Sequence, residues 1–100
     1  MLYTIEFAIS VTDDLRGVSV YKRREILDRI DAELTHLPQQ PTRNKKQLIG
    51  LAPPWEHVPP LWELRIGNIR VFYDVDDAEK IVNVRAIRQK PAHRTTGEIL

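Results

Sequence analysis

The chain has 100 residues, 42% hydrophobic and 29% charged, with 15 Lys/Arg against 14 Asp/Glu and no cysteine. One hundred residues without a Pro-, Gly- or Ser-rich linker predict a single domain over residues 1–100, and the apolar share excludes a disordered chain. The missing cysteines exclude disulfides, thiolate nucleophiles and Cys-based zinc sites; with no run approaching a membrane span and no signal-peptide pattern in MLYTIEFAIS, the expectation is a cytoplasmic protein without a membrane role.

Leu2 to Phe7 alternates Tyr3, Ile5 and Phe7 with Thr4 and Glu6 and predicts a first strand. Thr12-Asp13-Asp14 offers side-chain oxygens to cap a short helix that Gly17 ends. Val20 to about Leu37 is the main helix, with Leu27, Ile30, Leu34 and Leu37 recurring at helical spacing and Ile26 widening the stripe. Pro38 and Pro41 stop it, Arg43 to Lys46 is basic, and Lys46 to Leu51 predicts a short strand. Ala52 to Pro60, APPWEHVPP, has too many prolines for helix or central strand and reads as a stiff loop pinned by Trp55.

Leu61 to Gln89 then reads as a meander. Trp62, Leu64 and Ile66 alternate with Glu63 and Arg65; Gly67-Asn68 is a tight turn; Val71, Tyr73 and Val75 alternate with Arg70, Phe72 and Asp74. Asp76 to Glu79 turns the chain again, and Val82, Val84 and Ala86 alternate with Asn83 and Arg85. Arg94 to Leu100 is a tail, either a helical turn or unstructured. The expected architecture is α+β: an N-terminal strand and helix (a helical hairpin) packed on an antiparallel sheet with a C-terminal three- to four-stranded meander.

Charge is distributed unevenly. Residues 1–42 carry a net −2 and residues 43–100 a net +3; Arg85 to Arg94 holds four Lys/Arg, one His and no acid. The polar face of the meander presents Arg65 and Arg70, with Arg88 and Lys90 just beyond the third strand. Guanidinium groups held side by side on a rigid sheet suit phosphate, although the same residues also fit surface ion pairs with Glu63 or Asp74.

The run Trp62-Glu63-Leu64-Arg65-Ile66-Gly67-Asn68-Ile69-Arg70-Val71-Phe72-Tyr73-Asp74-Val75 resembles the RelE/ParE toxin superfamily of bacterial type II toxin–antitoxin systems, in its strand–turn–strand pattern with a basic residue before the turn and an arginine after it. The resemblance implies a toxin neutralised by a cognate antitoxin. It implies either a RelE-like endoribonuclease that cleaves mRNA in the ribosomal A site and inhibits translation, or a ParE-like inhibitor of DNA gyrase without nuclease activity. A third alternative is a protein that has lost toxicity and only binds its antitoxin. Arg70 matches the arginine that grips the scissile phosphate, Arg65 a basic residue on the preceding strand, and Lys90 a basic residue after the last strand. Two departures from the RelE branch stand out: Glu63 replaces a common lysine, and no tyrosine follows Tyr73.

In the nuclease reading, a 2′-hydroxyl attacks its own phosphate, which needs neither a metal nor another cofactor. Arg65 and Arg70 stabilise the developing charge, Arg88 and Lys90 enlarge the cationic pocket, and Glu63 or His93 carries the proton. Phe72 shares parity with Arg70 and is the candidate for stacking on a base, while Lys45, Lys46, Arg85 and Arg88 are candidates for the RNA backbone. Tyr73, Trp55 and Trp62 read as packing residues. His36 and His57 read as structural or exposed, and the spacing of the three histidines suggests no metal site.

Overall fold

The computed structural model describes residues 2–100, in the order β1 (Thr4–Phe7), α1 (Ile9–Arg16), α2 (Val20–Leu34), β2 (Lys45–Leu48), β3 (Leu61–Ile66), β4 (Ile69–Asp76), β5 (Ile81–Gln89) and α3 (Thr96–Ile99). The two longer helices follow β1 as a hairpin. α1 starts upstream of the expected cap, at Ala8, so Thr12, Asp13 and Asp14 lie within it. Burial of Val11 against the sheet outweighs the capping preference of Thr12, and Gly17 ends the helix as its spacing predicts. α2 is capped by Ser19, whose hydroxyl accepts the Lys22 N–H at 3.2 Å. It buries Ile26, Ile30 and Leu34 and ends there, one turn before the expected Leu37, which is exposed. The Thr35 hydroxyl donates to the Asp31 carbonyl at 2.6 Å at this end.

The sheet is five-stranded in the order β1-β5-β4-β3-β2. β2, β3, β4 and β5 are antiparallel neighbours, whereas β1 joins the outer edge of β5 in parallel, from Thr4 against Ile81 to Phe7 against Val84. The sheet is therefore mixed: the helical hairpin carries the chain from β1 at one edge to β2 at the other, and the antiparallel strands β2 to β5 bring it back beside β1. β2 begins at Lys45 and stops at Leu48, shorter than its predicted reach to Leu51.

Period-two alternation divides the side chains of the meander as predicted. Trp62, Leu64, Ile66, Ile69, Val71, Tyr73, Val82, Val84 and Ile87 face the helices and form one core with Val11, Ile26, Ile30 and Leu34. Each large apolar side chain buried there contributes about 1.5–3 kcal/mol relative to exposure. The Tyr73 hydroxyl donates to the Pro38 carbonyl at 2.6 Å, and burial pushes its pKa up.

The second face departs from expectation, because part of it is covered. Leu61, Phe72 and Ala86 form a small core beneath Leu48, Trp55, Ile99 and Leu100. The proline loop and α3 thus close one end of this face. A buried polar cluster ties the loop down: the Asp74 carboxylate, 1% exposed, accepts Arg85 Nε at 2.8 Å, Asn83 Nδ2 at 3.0 Å and the Val58 N–H at 2.9 Å.

Two backbone features shape the polar face of the meander. Gly67 has φ of 58°, the left-handed value that the first central position of a two-residue type II′ hairpin turn demands. Gly67→Ala should lower unfolding free energy by about 1–2 kcal/mol through this strain, measurable by urea denaturation. The β4–β5 register also slips: Phe72 pairs with Ala86 but Tyr73 with Val84, leaving Arg85 as an extra residue in a bulge. From the bulge onward, alternation in β5 is inverted. Ala86 and Arg88 face away from the helices, and Ile87 takes the core side that Ala86 was expected to occupy.

Candidate functional site

Strand register places three arginines in a line. Arg65 is directly opposite Arg70 across β3 and β4, and Arg70 is directly opposite Arg88 across β4 and β5. Adjacent strands lie about 4.8 Å apart, so the three backbone positions fall within about 10 Å, on the face away from the helices. The next row on the same face is Lys46, Glu63, Phe72 and Ala86. Like charges placed opposite one another repel, so the arginine row is held by the rest of the fold rather than by its own interactions.

The three guanidinium groups differ in what they touch. Arg65 is exposed and has no ion-pair partner among the described residues. Arg70 is 7% exposed; its Nη1 donates to the Gly67 carbonyl at 2.6 Å and the Ile69 carbonyl at 2.9 Å, which folds the side chain toward the hairpin turn. Its Nε is buried without a hydrogen-bond partner among the described residues. Burial first, and then the charge of Arg65, lowers the Arg70 pKa, with Glu63 opposing; a guanidinium remains charged regardless. Arg88 is turned aside: its Nη1 meets Asp14 Oδ1 at 3.0 Å, while Asp14 Oδ2 accepts the Ile87 N–H at 3.0 Å. Asp14 therefore caps β5 where β1 has ended and neutralises the third cation of the row. Asp14→Asn should keep the amide contact and release Arg88, so that a labelled polyanionic probe binds about two- to fivefold tighter at low salt, as read by fluorescence anisotropy.

Glu63 is 2% exposed and sits inside this cationic face. Its Oε2 accepts the Thr96 hydroxyl at 2.9 Å, and its Oε1 stands 4.0 Å from both Lys46 Nζ and Arg70 Nε. Lys46 is exposed. Beyond β5, Lys90 hydrogen-bonds through its backbone N–H to the Asn68 carbonyl at 2.7 Å, next to the hairpin turn. His93 is exposed on the segment that runs from there to α3.

Several expected contacts are absent from this face. Lys45 has the opposite parity to Lys46; its Nζ is enclosed by the end of α2, donating to the carbonyls of Glu33 and Leu37 at 2.9 Å each, and burial lowers its pKa. It ties β2 to α2 and is not open to RNA. Phe72 is completely buried beneath Trp55 and α3, which corrects the expectation that it stacks on a base. Arg85 lies in the bulge, bound to Asp74 at the other end of the sheet. Conversely, Asp14 and Thr96 belong to the site although neither has a sequence signal, since both reach it only through packing. Among the described residues no group of three His, Asp or Glu side chains is placed to hold a metal ion, and no helix is long and apolar enough to cross a membrane.

Residues 5–90, from β1 through the end of β5, match the family described as ParE toxin of type II toxin-antitoxin system, parDE. The chain belongs to this toxin family. No curated protein matches it in sequence. Among solved structures, the archaeal RelE–RelB complex of Pyrococcus horikoshii is similar at a TM-score of 0.69 and 22% identity, covering 95% of this chain and 100% of that one. The RelBE2 toxin–antitoxin complex of Mycobacterium tuberculosis is similar at 0.67 and 18%, covering 90% and 100%. The isolated E. coli RelE toxin is similar at 0.65 and 17%, covering 94% and 88%. The chain is thus a type II toxin of the RelE/ParE superfamily, and its helical hairpin and mixed sheet form a RelE-like fold.

Proposed function

We propose that this toxin is a RelE-like endoribonuclease that cleaves mRNA on the ribosome, in the cytoplasm, and is silenced by a cognate antitoxin. The observation that carries the reading is the register of Arg65, Arg70 and Arg88 on one face. Arg65 and Arg70 grip the scissile phosphate, with Lys90 and, once released from Asp14, Arg88 widening the cationic surface. The 2′-hydroxyl oxygen attacks the adjacent phosphorus, the bond to the 5′ oxygen breaks, and the products are a 2′,3′-cyclic phosphate and a 5′-hydroxyl. Fixed guanidinium groups stabilise the extra negative charge of the phosphorane. His93, an exposed imidazole beyond β5, carries the proton. Glu63, enclosed by Thr96, Lys46 and Arg70, serves as an orienting counter-ion rather than as the base. Lys46 tracks the RNA backbone. An acidic segment of the antitoxin would cover this face, as the RelB chains in the M. tuberculosis and P. horikoshii complexes accompany their toxins.

Inhibition of DNA gyrase is the second reading, favoured by the ParE family match and by the closure of Glu63. Purified toxin incubated with programmed ribosomes and, separately, with gyrase and plasmid distinguishes the two. Cleavage of mRNA with normal supercoiling is the expected result; loss of supercoiling with intact mRNA rejects the nuclease reading.

A further inference from the structure

The two oxygens of Glu63 are used differently. Oε2 is taken by the Thr96 hydroxyl at 2.9 Å, while Oε1 stops 4.0 Å short of Arg70 Nε, which is buried with its hydrogen unpaired among the described residues. A carboxylate beside a guanidinium ordinarily closes into a two-pronged fork with N–O distances of about 2.8 Å. We propose that Thr96 is a positioning residue that keeps the Arg70 Nε–H unpaired: by holding one oxygen of Glu63 it prevents that fork and leaves this buried, unsatisfied donor to a phosphate oxygen. This role rests on the reading of the arginine row as a phosphate grip, and it names the residue that keeps the grip vacant.

Thr96 is well placed for this. It is the first residue of α3, and Ile99 and Leu100 seat that helix on the Leu61, Phe72 and Ala86 cluster. A capping box braces the helix start, the Thr95 N–H donating to Glu98 Oε1 at 2.8 Å. The hydroxyl is thereby presented to β3 from a fixed position. Glu63 has Lys46, an exposed and flexible cation, as its other neighbour, which cannot hold the carboxylate in one orientation.

The test compares Thr96→Val, which keeps the shape and removes the donor, with Thr96→Ser, which keeps the donor. The probes are inorganic phosphate and an RNA hexanucleotide with 2′-O-methyl riboses, which cannot be cleaved. Thr96→Val should weaken both affinities about five- to tenfold and move the Arg70 Nε–H NMR resonance downfield as the fork closes, while Thr96→Ser binds as the wild type does. In a Glu63→Gln background Thr96→Val should change nothing, because the amide cannot form the fork. Equal affinity and an unmoved Arg70 resonance in Thr96→Val overturn the proposal. So does a deficit that persists with Glu63→Gln, since it would then arise from displaced α3. Wild-type protein that binds both probes through Arg70 yet leaves mRNA intact refutes the nuclease reading, while the Thr96→Val deficit still supports the role of Thr96.

Discussion

Arg70→Ala should lower the proposed cleavage of mRNA on programmed ribosomes by about 10²- to 10³-fold, the usual consequence of removing a fixed donor aimed at developing charge. Arg70 is the middle member of the row, opposite Arg65 on one side and Arg88 on the other. Its guanidinium is already desolvated and anchored to the Gly67 and Ile69 carbonyls, so little reorganisation is needed when a phosphate arrives. Arg70→Lys tests the geometry separately from the charge. A lysine keeps the positive charge but cannot span two carbonyls and a phosphate at once, so activity should still fall at least about tenfold. Both variants lose hydrogen bonds to the turn, and Arg70→Ala should cost about 1–3 kcal/mol of stability. Circular dichroism and urea unfolding therefore accompany the activity assay. Folded Arg70→Ala that cleaves at the wild-type rate removes this residue from the mechanism.

The second large effect is on stability. Asp74→Ala should lower the unfolding free energy by about 3 kcal/mol or more, because removing one partner of a buried ion pair strands the other. Asp74 is 1% exposed and serves Arg85, Asn83 and the Val58 N–H together. The Arg85 side chain is 18% exposed and recovers part of its hydration, which places the expected cost at the lower end of the range for such pairs. For a domain of this size the melting temperature should drop by about 12–20 °C. Asp74→Asn retains an acceptor for Val58 and should fall between the two. The double variant with Arg85→Ala should be less destabilised than the sum of the single variants, since the stranded charge is gone. A melting temperature unchanged in Asp74→Ala would show that the proline loop is held by Trp55 packing alone.

Much of this toxin is legible in its residue pattern. The alternation in β3 and β4 separates Leu64, Val71 and Tyr73 from Arg65, Arg70 and Asp74, and the structure divides them in that way. Gly67-Asn68 reads correctly as a two-residue turn, because a turn this tight needs a residue tolerant of positive φ. Helix boundaries are less legible. The end of α2 depends on the Thr35 hydroxyl and on Lys45 reaching carbonyls from a distant strand, and propensity says nothing of either. The second face reads as open from the pattern alone because its cover, Trp55 with Ile99 and Leu100, comes from segments with no periodicity of their own.

The sequence by itself determined the pairing of Arg65 with Arg70: two positions flanking a two-residue turn at equal distance must meet on one face, whatever surrounds them. Only the tertiary structure decided which other groups join them. Arg88 reaches that face because a single extra residue at Arg85 inverts the parity of β5, and Lys45 leaves it because β2 sets it opposite Leu64 on the core side and Lys46 opposite Glu63. Thr96 and Asp14 are brought in by helices folding back onto the sheet. Local pattern specifies which side of its own strand a residue occupies; bulges, register and long-range packing specify which residues of other strands stand beside it, and those are set by the whole core at once.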